Sequence, residues 1–247
     1  MANPKISIIT ITYNSEAHLE ETIKSVIGQQ YDNLEYLIID GGSKDKTLDI
    51  VNKYRDNIAY VVSEPDKGIS DAFNKGVKAA TGEIIGIINS DDLLEPGALH
   101  AIAQAYDPTI DIYSGNVLIW DDVTDKCTNH IPDLEFNRLK LQYNVAHPAR
   151  FIRKSAYDKW GVYALDLRYK MDIDLIVRFA KAGAKFVHID KPLARFRKGG
   201  TTSQSVWKKR NDFYLFVTRN GWSEWSFRYI WCLAVLKYYF KRILGKN

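Results

Sequence analysis

Over the first 120 residues, short β-branched runs alternate with amphipathic helical patterns, and this alternation constrains the fold more than any other feature of the chain. Lys5–Thr12, Tyr36–Asp40, Ile58–Ser63, Ile84–Asn89 and Asp111–Trp120 read as strands, because each is a brief apolar run that stops at turn residues. Between them, His18–Gly28, Lys46–Tyr54 and Ile69–Ala80 carry apolar residues at helical spacing, the last closed by Gly82 as a C-cap. Strand, helix, strand, helix predicts an α/β fold with a Rossmann-like, mostly parallel sheet flanked by helices on both faces.

In such sheets, ligands bind at the carboxyl ends of the strands, where the loops into the helices gather. Those ends here are Thr12-Tyr13-Asn14-Ser15, Asp40-Gly41-Gly42-Ser43, Glu64-Pro65-Asp66-Lys67-Gly68 and Asn89-Ser90-Asp91-Asp92. Four strands thus bring acidic or amide side chains to one rim. There is no GxGxxG after the first strand and no GxxxxGK[ST] in the chain, so dinucleotide oxidoreductases and P-loop enzymes are disfavoured.

An acidic rim repels a nucleotide diphosphate unless a divalent cation sits between the two. Asp91 and Asp92, adjacent carboxylates after a buried strand, are the candidate ligands, and oxygen donors favour Mn or Mg. Residues of these types also cap helices, as Ser90, Asp91 or Asp92 would for the helical pattern Pro96–Tyr106. Asp40 likewise suits a turn, and Asp172 and Asp174 suit the start of a helix.

Beyond residue 120 the pattern loosens. A polar stretch runs to about Asn137, followed by His147-Pro148, a helix near Arg153–Trp160, a helix opened by Lys170–Asp174 and closed by Gly183, and a strand at Lys185–Ile189. Two helical stretches rich in aromatic and basic residues follow Ser205. Cys127 and Cys232 have neither metal nor redox spacing, which favours a reducing compartment. The amino-terminal run reads as a strand and not a leader, so a cytoplasmic protein is expected.

The net charge of +4 conceals two opposed regions. Residues 191–247 carry 13 Lys/Arg against Asp212 and Glu224, whereas residues 1–190 hold 21 basic and 28 acidic residues. Within the tail, Tyr229–Phe240 is apolar except for Lys237 and is shorter than the roughly 17 residues needed to span a bilayer. Its aromatic and basic composition suits either packing on the domain or, over 222–247, an anionic membrane surface. No RNA or DNA motif accompanies it, so nucleic acid is not an expected partner.

Taken together, ISIITITYNSEAHLEETIKSV, LIIDGGSKDKT, SEPDKGISDAFNKGVKAATGEIIGIINSDD, HPARFIRKSAYDKWGVY and MDIDLIVRFAKAGAKF resemble the family 2 glycosyltransferases, in family order and spacing over about residues 5 to 200. SEPDKGISDAFNKG and FRKGGTTS make the chain most similar to bacterial enzymes of exopolysaccharide and O-antigen synthesis. The resemblance implies the GT-A fold over 1–204, with a nucleotide-sugar half to about residue 92, an acceptor half over 93–204 and a helical extension over 205–247. It implies an inverting, metal-dependent transfer from a nucleotide sugar, by default UDP-linked, to a glycan or a polyprenyl-diphosphate-linked glycan. A peripheral position on the inner face of the cell membrane would bring the enzyme to such an acceptor.

Residue by residue, it implies that Thr12, Tyr13 and Asn14 hold the base, that Asp40 contacts base or ribose, and that Asp66, Asp71, Asn74 and Lys75 line the other side of the nucleotide. Asn89 to Asp92 fall on the DXD metal motif and Asp172 on the catalytic base, with Asp174 in reserve. His147 and Arg150 are assigned to the acceptor side. Asn89 replaces a frequent aspartate of the motif, which leaves Asp91 and Asp92 as alternative main ligands. Met171 replaces a frequent acidic residue before Asp172. A nucleotidyltransferase would need a Gly-rich basic loop after the first strand, which TYNSEAH is not. A catalytically weak sugar-nucleotide binder of the same fold is the other alternative.

Overall fold

The computed structural model describes residues 3–136, 139–140, 143, 147–199 and 206–243. Among them, nine strands form one sheet: β1 (Ile6–Thr12), β2 (Leu34–Asp40), β3 (Tyr60–Ser63), β4 (Ile84–Asn89), β5 (Leu93–Leu94), β6 (Ile112–Asp121), β7 (Lys126–His130), β8 (Arg150–Arg153) and β9 (Phe186–Arg197). The order is β3-β2-β1-β4-β8-β6-β9-β5, with β7 paired to the outer part of β6. The helices are α1 (Leu19–Ile27), α2 (Thr47–Lys53), α3 (Ile69–Ala79), α4 (Ala98–Gln104), α5 (Lys154–Trp160), α6 (Met171–Lys181), α7 (Arg210–Arg219) and α8 (Glu224–Ile243).

The period of two in the strands explains the layers. Ile6 and Ile8 of β1, Tyr36 and Ile38 of β2, and Ile84 and Ile88 of β4 point to one face, beneath α1 and α4. Ile9, Leu37, Ile39, Ile85 and Ile87 point to the other, where α3, α6 and α7 pack. These strand isoleucines are nearly fully buried, each contributing about 2 kcal/mol of apolar burial, so a register slip of one residue would be costly on both faces.

The α/β fold class stands, and the sheet divides into two kinds of pairing. β1 to β4 are mutually parallel, as the helical crossovers require. The second half is mixed: β8 runs antiparallel between β4 and β6, and β5 and β7 pair antiparallel to β9 and β6. β9 extends eight residues beyond the expected Ile189, to Arg197, passing through Pro192 with a register shift opposite Asn116. Helix α3 is closed by Ala80 rather than by Gly82. Gly82 serves a different need: a Cβ there would come within 2.5 Å of the Ser7 hydroxyl and 2.7 Å of the Ser7 amide nitrogen, and the Gly82 N–H donates to that hydroxyl at 2.8 Å.

The expected boundary near residue 204 does not separate the tail from the core. Phe213, Phe216, Val217 and Phe227 are buried in the same cluster as α6. Asp212 of α7 accepts backbone N–H bonds from Arg168, Tyr169 and Lys170, the turn that leads into α6. Helix α7 is therefore packed with α6 as part of the domain core, and α8 follows it.

Candidate active site

The loops after β1, β2 and β4 are stitched together by short polar side chains. Asn14 adopts φ +48, its N–H donates to the Ser43 hydroxyl at 2.8 Å, and its Oδ1 accepts from the Lys44 N–H at 2.9 Å. Ser15 bonds Ser90 hydroxyl to hydroxyl at 2.8 Å, and its N–H donates to Thr47 at 2.8 Å. Tyr13 projects from this seam, 62% exposed, while Thr12 is buried with its Oγ1 lacking a partner among the described residues.

Asp40, at the end of β2, is already occupied by its own turn. Its buried carboxylate accepts the N–H groups of Gly42 and Ser43 at 3.1 and 3.0 Å and the hydroxyls of Ser43 and Ser63, both at 2.5 Å. Four donors leave it a turn-forming role. Asp66 occupies the space above Gly41 instead. Its Oδ2 lies 2.8 Å from where a Gly41 Cβ would stand, and the Tyr13 ring lies 3.3 Å from the same point. Any other residue at 41 would displace this carboxylate.

Lys75 holds the Asp66 loop in place, with Nζ 2.7 Å from Asp66, 3.0 Å from Glu64 and 3.7 Å from Asp71. Burial would lower its pKa, but the hydrogen bonds it donates to Asp66 and Glu64 outweigh this and raise it, so the ammonium stays charged. Asp71 also accepts the Lys67 N–H at 3.0 Å, closing the loop onto α3. Asn74 is turned away: both ends of its amide are spent on the Tyr163 backbone, each at 2.9 Å. It clamps α3 to the segment before α6.

At the end of β4 the two adjacent aspartates differ. Asp92 is fully buried, accepting the Arg197 N–H at 3.2 Å and the Asn89 amide at 3.0 Å. Burial, with the Asp91 charge beside it, pushes its carboxyl well above the usual range. Asp91 is partly exposed, and its carboxylate has no protein partner among the described residues; only its carbonyl is used, by Arg197 Nε at 3.1 Å. Arg197 is the anchor that sequence reasoning passed over within FRKGGTTS. Its guanidinium also bonds Asp122 and Glu21, both at 2.6 Å, and stacks over Trp120. Residues 200–205 of that segment lie outside the described residues.

Among the described residues no three His, Cys, Asp or Glu side chains gather into a metal cage. One unspent carboxylate at a polar rim nevertheless fits the usual binding of Mg or Mn, which take one or two carboxylates and complete their shell with substrate phosphates and water. The free Asp91 oxygens suit such an ion, and the buried, doubly bonded Asp92 supports the loop beneath it.

A second cluster gathers at α6. Asp172 stands in its first turn, with Oδ1 accepting the Ile173 N–H at 2.7 Å, and lines a cavity of about 10 Å³ with His147, Arg150, Tyr157 and Tyr163. That is room for one water. Arg150 is 4% exposed, donates to the Asp133 carbonyl at 3.2 Å, and leaves Nε and Nη1 without partners among the described residues. Burial brings its pKa down to about 10, opposed by the charge of Asp172, so it stays cationic near neutrality. His147 stacks on Phe73 at 5.1 Å, and burial lowers its pKa against the pull of Asp172, favouring the neutral ring. Its Nε2 is unpartnered among the described residues.

Asp174, two residues along the same turn, is excluded from this cluster. It is fully buried, paired with Arg178 at 3.0 Å and bonded by the Asn220 amide of α7 at 2.9 Å. Asp212, absent from the sequence assignments, positions the cluster from behind by holding the turn before Asp172.

Comparison with known proteins gives this arrangement its context. A family model described as glycosyl transferase family 2 matches residues 7–161. A protein of Mycobacterium bovis BCG described as a PGL/p-HBAD biosynthesis glycosyltransferase is 30% identical over 214 residues, covering 83% of this chain and 82% of its own. Among solved structures, residues 1–349 of S. aureus TarS in complex with UDP-GlcNAc superpose with a TM-score of 0.69 at 20% identity, covering 94% of this chain and 71% of that one. A mannosyltransferase from Pyrobaculum calidifontis with GDP-Man and Mn2+ gives 0.63 at 18% identity, covering 85% and 61%. At these identities the structures speak for the fold, which is that of the GT-A neighbours. The family match over more than half of the chain settles the remaining question: this protein belongs to the family 2 glycosyltransferases.

Proposed function

We infer that the protein transfers a sugar from a UDP-linked donor, with inversion, to a hydroxyl of a glycan or lipid-linked glycan in surface polysaccharide synthesis. The observation that carries this reading is the division of labour among the rim carboxylates. Asp91 is free where a divalent cation and diphosphate would meet, and Asp172, which among the described residues accepts only the Ile173 N–H, stands beside a cavity that could admit a reacting hydroxyl. Asp40, Asp92 and Asp174 are spent on the fold. TarS bound to UDP-GlcNAc and the mannosyltransferase bound to GDP-Man and Mn2+ support a nucleotide-sugar donor and a cation for a chain of this fold.

In this reading Asp91 holds Mn or Mg, which when bound supplies charge neutralisation to the departing diphosphate. Asp172 takes the proton from the acceptor hydroxyl as that oxygen attacks the anomeric carbon. Arg150 and neutral His147 flank it and offer donors to acceptor hydroxyls. No carboxylate of the site is assigned as a nucleophile, which favours one displacement over two.

The base-facing carboxylate is Asp66 rather than Asp40. Lys75 occupies Asp66 Oδ1, and Oδ2, above Gly41 and beside the Tyr13 ring, is left to accept an imide N–H such as N3–H of uracil. Thermal-shift titration of a nucleotide-sugar panel with and without Mn tests this. UDP-sugars should stabilise the parent more than CDP-sugars, and Asp66→Asn should weaken UDP binding about tenfold, as loss of one charge-assisted hydrogen bond predicts. Equal stabilisation by UDP- and CDP-sugars, or an unchanged UDP affinity in Asp66→Asn, counts against the assignment.

A further inference from the structure

Helix α8 is apolar on two opposed faces, and among the described residues only one of them packs on the core. The inner face is set by Phe227, 4% exposed, with Ile230 and Trp231 packed on the core and Phe227 ringed by Phe213, Tyr214 and Trp231. The outer face carries Trp225, Tyr229, Cys232, Leu236, Tyr239 and Phe240, at the three- and four-residue spacing that lines side chains along one stripe. Exposure runs from 47% at Tyr239 to 76% at Trp225, and the stripe is about 22 Å long at the α-helical rise. No helix among the described residues is long and apolar enough to cross a membrane.

We propose that this outer face of α8 lies in the surface of an anionic lipid bilayer, parallel to its plane, with Trp225, Tyr229, Leu236, Tyr239 and Phe240 inserted at headgroup level. Charge chooses the occupant. Arg228, 63% exposed, and exposed Lys237 border the stripe, and residues 206–247 contain nine Lys/Arg against two acidic residues. Of those two, Asp212 is buried under α6 and Glu224 sits 3.9 Å from Arg228. A second copy of the helix would bring basic flank against basic flank with no acidic partner, the reverse of a paired helical seam. Anionic headgroups supply the missing charge. The residue types agree, since Trp and Tyr combine an apolar body with a polar tip suited to the headgroup boundary.

The surface is joined mechanically to the α6 cluster. Phe227 of α8 packs on Phe213 of α7, and Asp212 beside it holds the turn preceding Asp172. A bilayer under α8 would therefore keep the acceptor half at a fixed attitude to lipid-borne substrates. The proposal does not rest on the transfer reaction and can fail or stand without it.

Co-sedimentation of the full chain with vesicles tests it. Vesicles of phosphatidylcholine with phosphatidylglycerol should bind at least about tenfold more tightly than phosphatidylcholine alone, and added salt should release the protein. The triple variant Trp225→Ser, Leu236→Ser, Phe240→Ser should lower binding about a hundredfold through lost apolar insertion. Its melting temperature should stay close to that of the parent, because these side chains are mostly exposed, Trp225 meeting only the Arg228 guanidinium among the ring contacts. Arg228→Gln with Lys237→Gln should lower binding less and flatten the salt dependence. A chain that stays in the supernatant with anionic vesicles at low salt overturns the proposal. So does a triple variant that binds as well as the parent, or a parent dimer in solution that the triple variant converts to monomer.

Discussion

Asp172→Asn is expected to lower sugar transfer about a thousandfold while leaving nucleotide-sugar affinity within about twofold, the pattern of a lost general base. The change keeps the side-chain shape, and an amide oxygen can still accept the Ile173 N–H that the carboxylate accepts now. What disappears is the capacity to take a proton beside the cavity shared with His147 and Arg150. Steady-state rates with calorimetric donor affinity check it; a variant that retains most of its transfer rate removes Asp172 from the mechanism. Asp174→Asn is the informative contrast, because that carboxylate is buried against Arg178 and Asn220 and its loss should appear in the melting temperature.

Asp91→Ala should weaken Mn-dependent donor binding by at least about a hundredfold, since even partners one shell removed from a metal are worth ten- to a hundredfold. The fold should tolerate the change, because the Asp91 side chain supports no neighbour and its carbonyl, the group Arg197 uses, remains. Asp92→Ala should differ in kind. It removes the acceptor for the Arg197 N–H and the Asn89 amide inside the protein, leaving buried donors unmatched, and should lower stability before it touches metal affinity. Titration of donor into both variants with and without Mn, alongside thermal melts, separates the two. Normal Mn-dependent binding by Asp91→Ala would remove the cation from this position.

The first half, to β4, was legible because its information is local. Period-two isoleucine runs and helical stripes give β1 to β4 and α1 to α3 directly, and the strand ends point to the rim. The second half, beyond β4, was less legible because its strands depend on distant partners. β7 is an exposed polar segment held by pairing with β6, and β9 continues through Pro192 because β6 and β5 receive it.

Within the site, residue type alone could not tell a working carboxylate from a structural one. Asp40 and Asp66 both follow strands, yet four donors converge on the first, while a missing Cβ at Gly41 opens space for the second. Asp172 and Asp174 sit two residues apart in one helical turn, and the 100° step of the helix separates their surroundings, placing one beside a cavity and the other under α7. Asp212 and Arg197 were missed for a related reason. Each acts on backbone far away in sequence, and no local pattern marks that role.

The stereochemistry of the first product tests the central claim most directly. With an α-linked UDP-sugar, an acceptor, Mn and the parent enzyme, the anomeric configuration of the newly formed glycosidic bond can be read by NMR. A single in-line displacement assisted by Asp172 predicts a β-linked product, and that Asp172→Asn forms almost none. An α-linked product would exclude a single in-line displacement and would contradict the account.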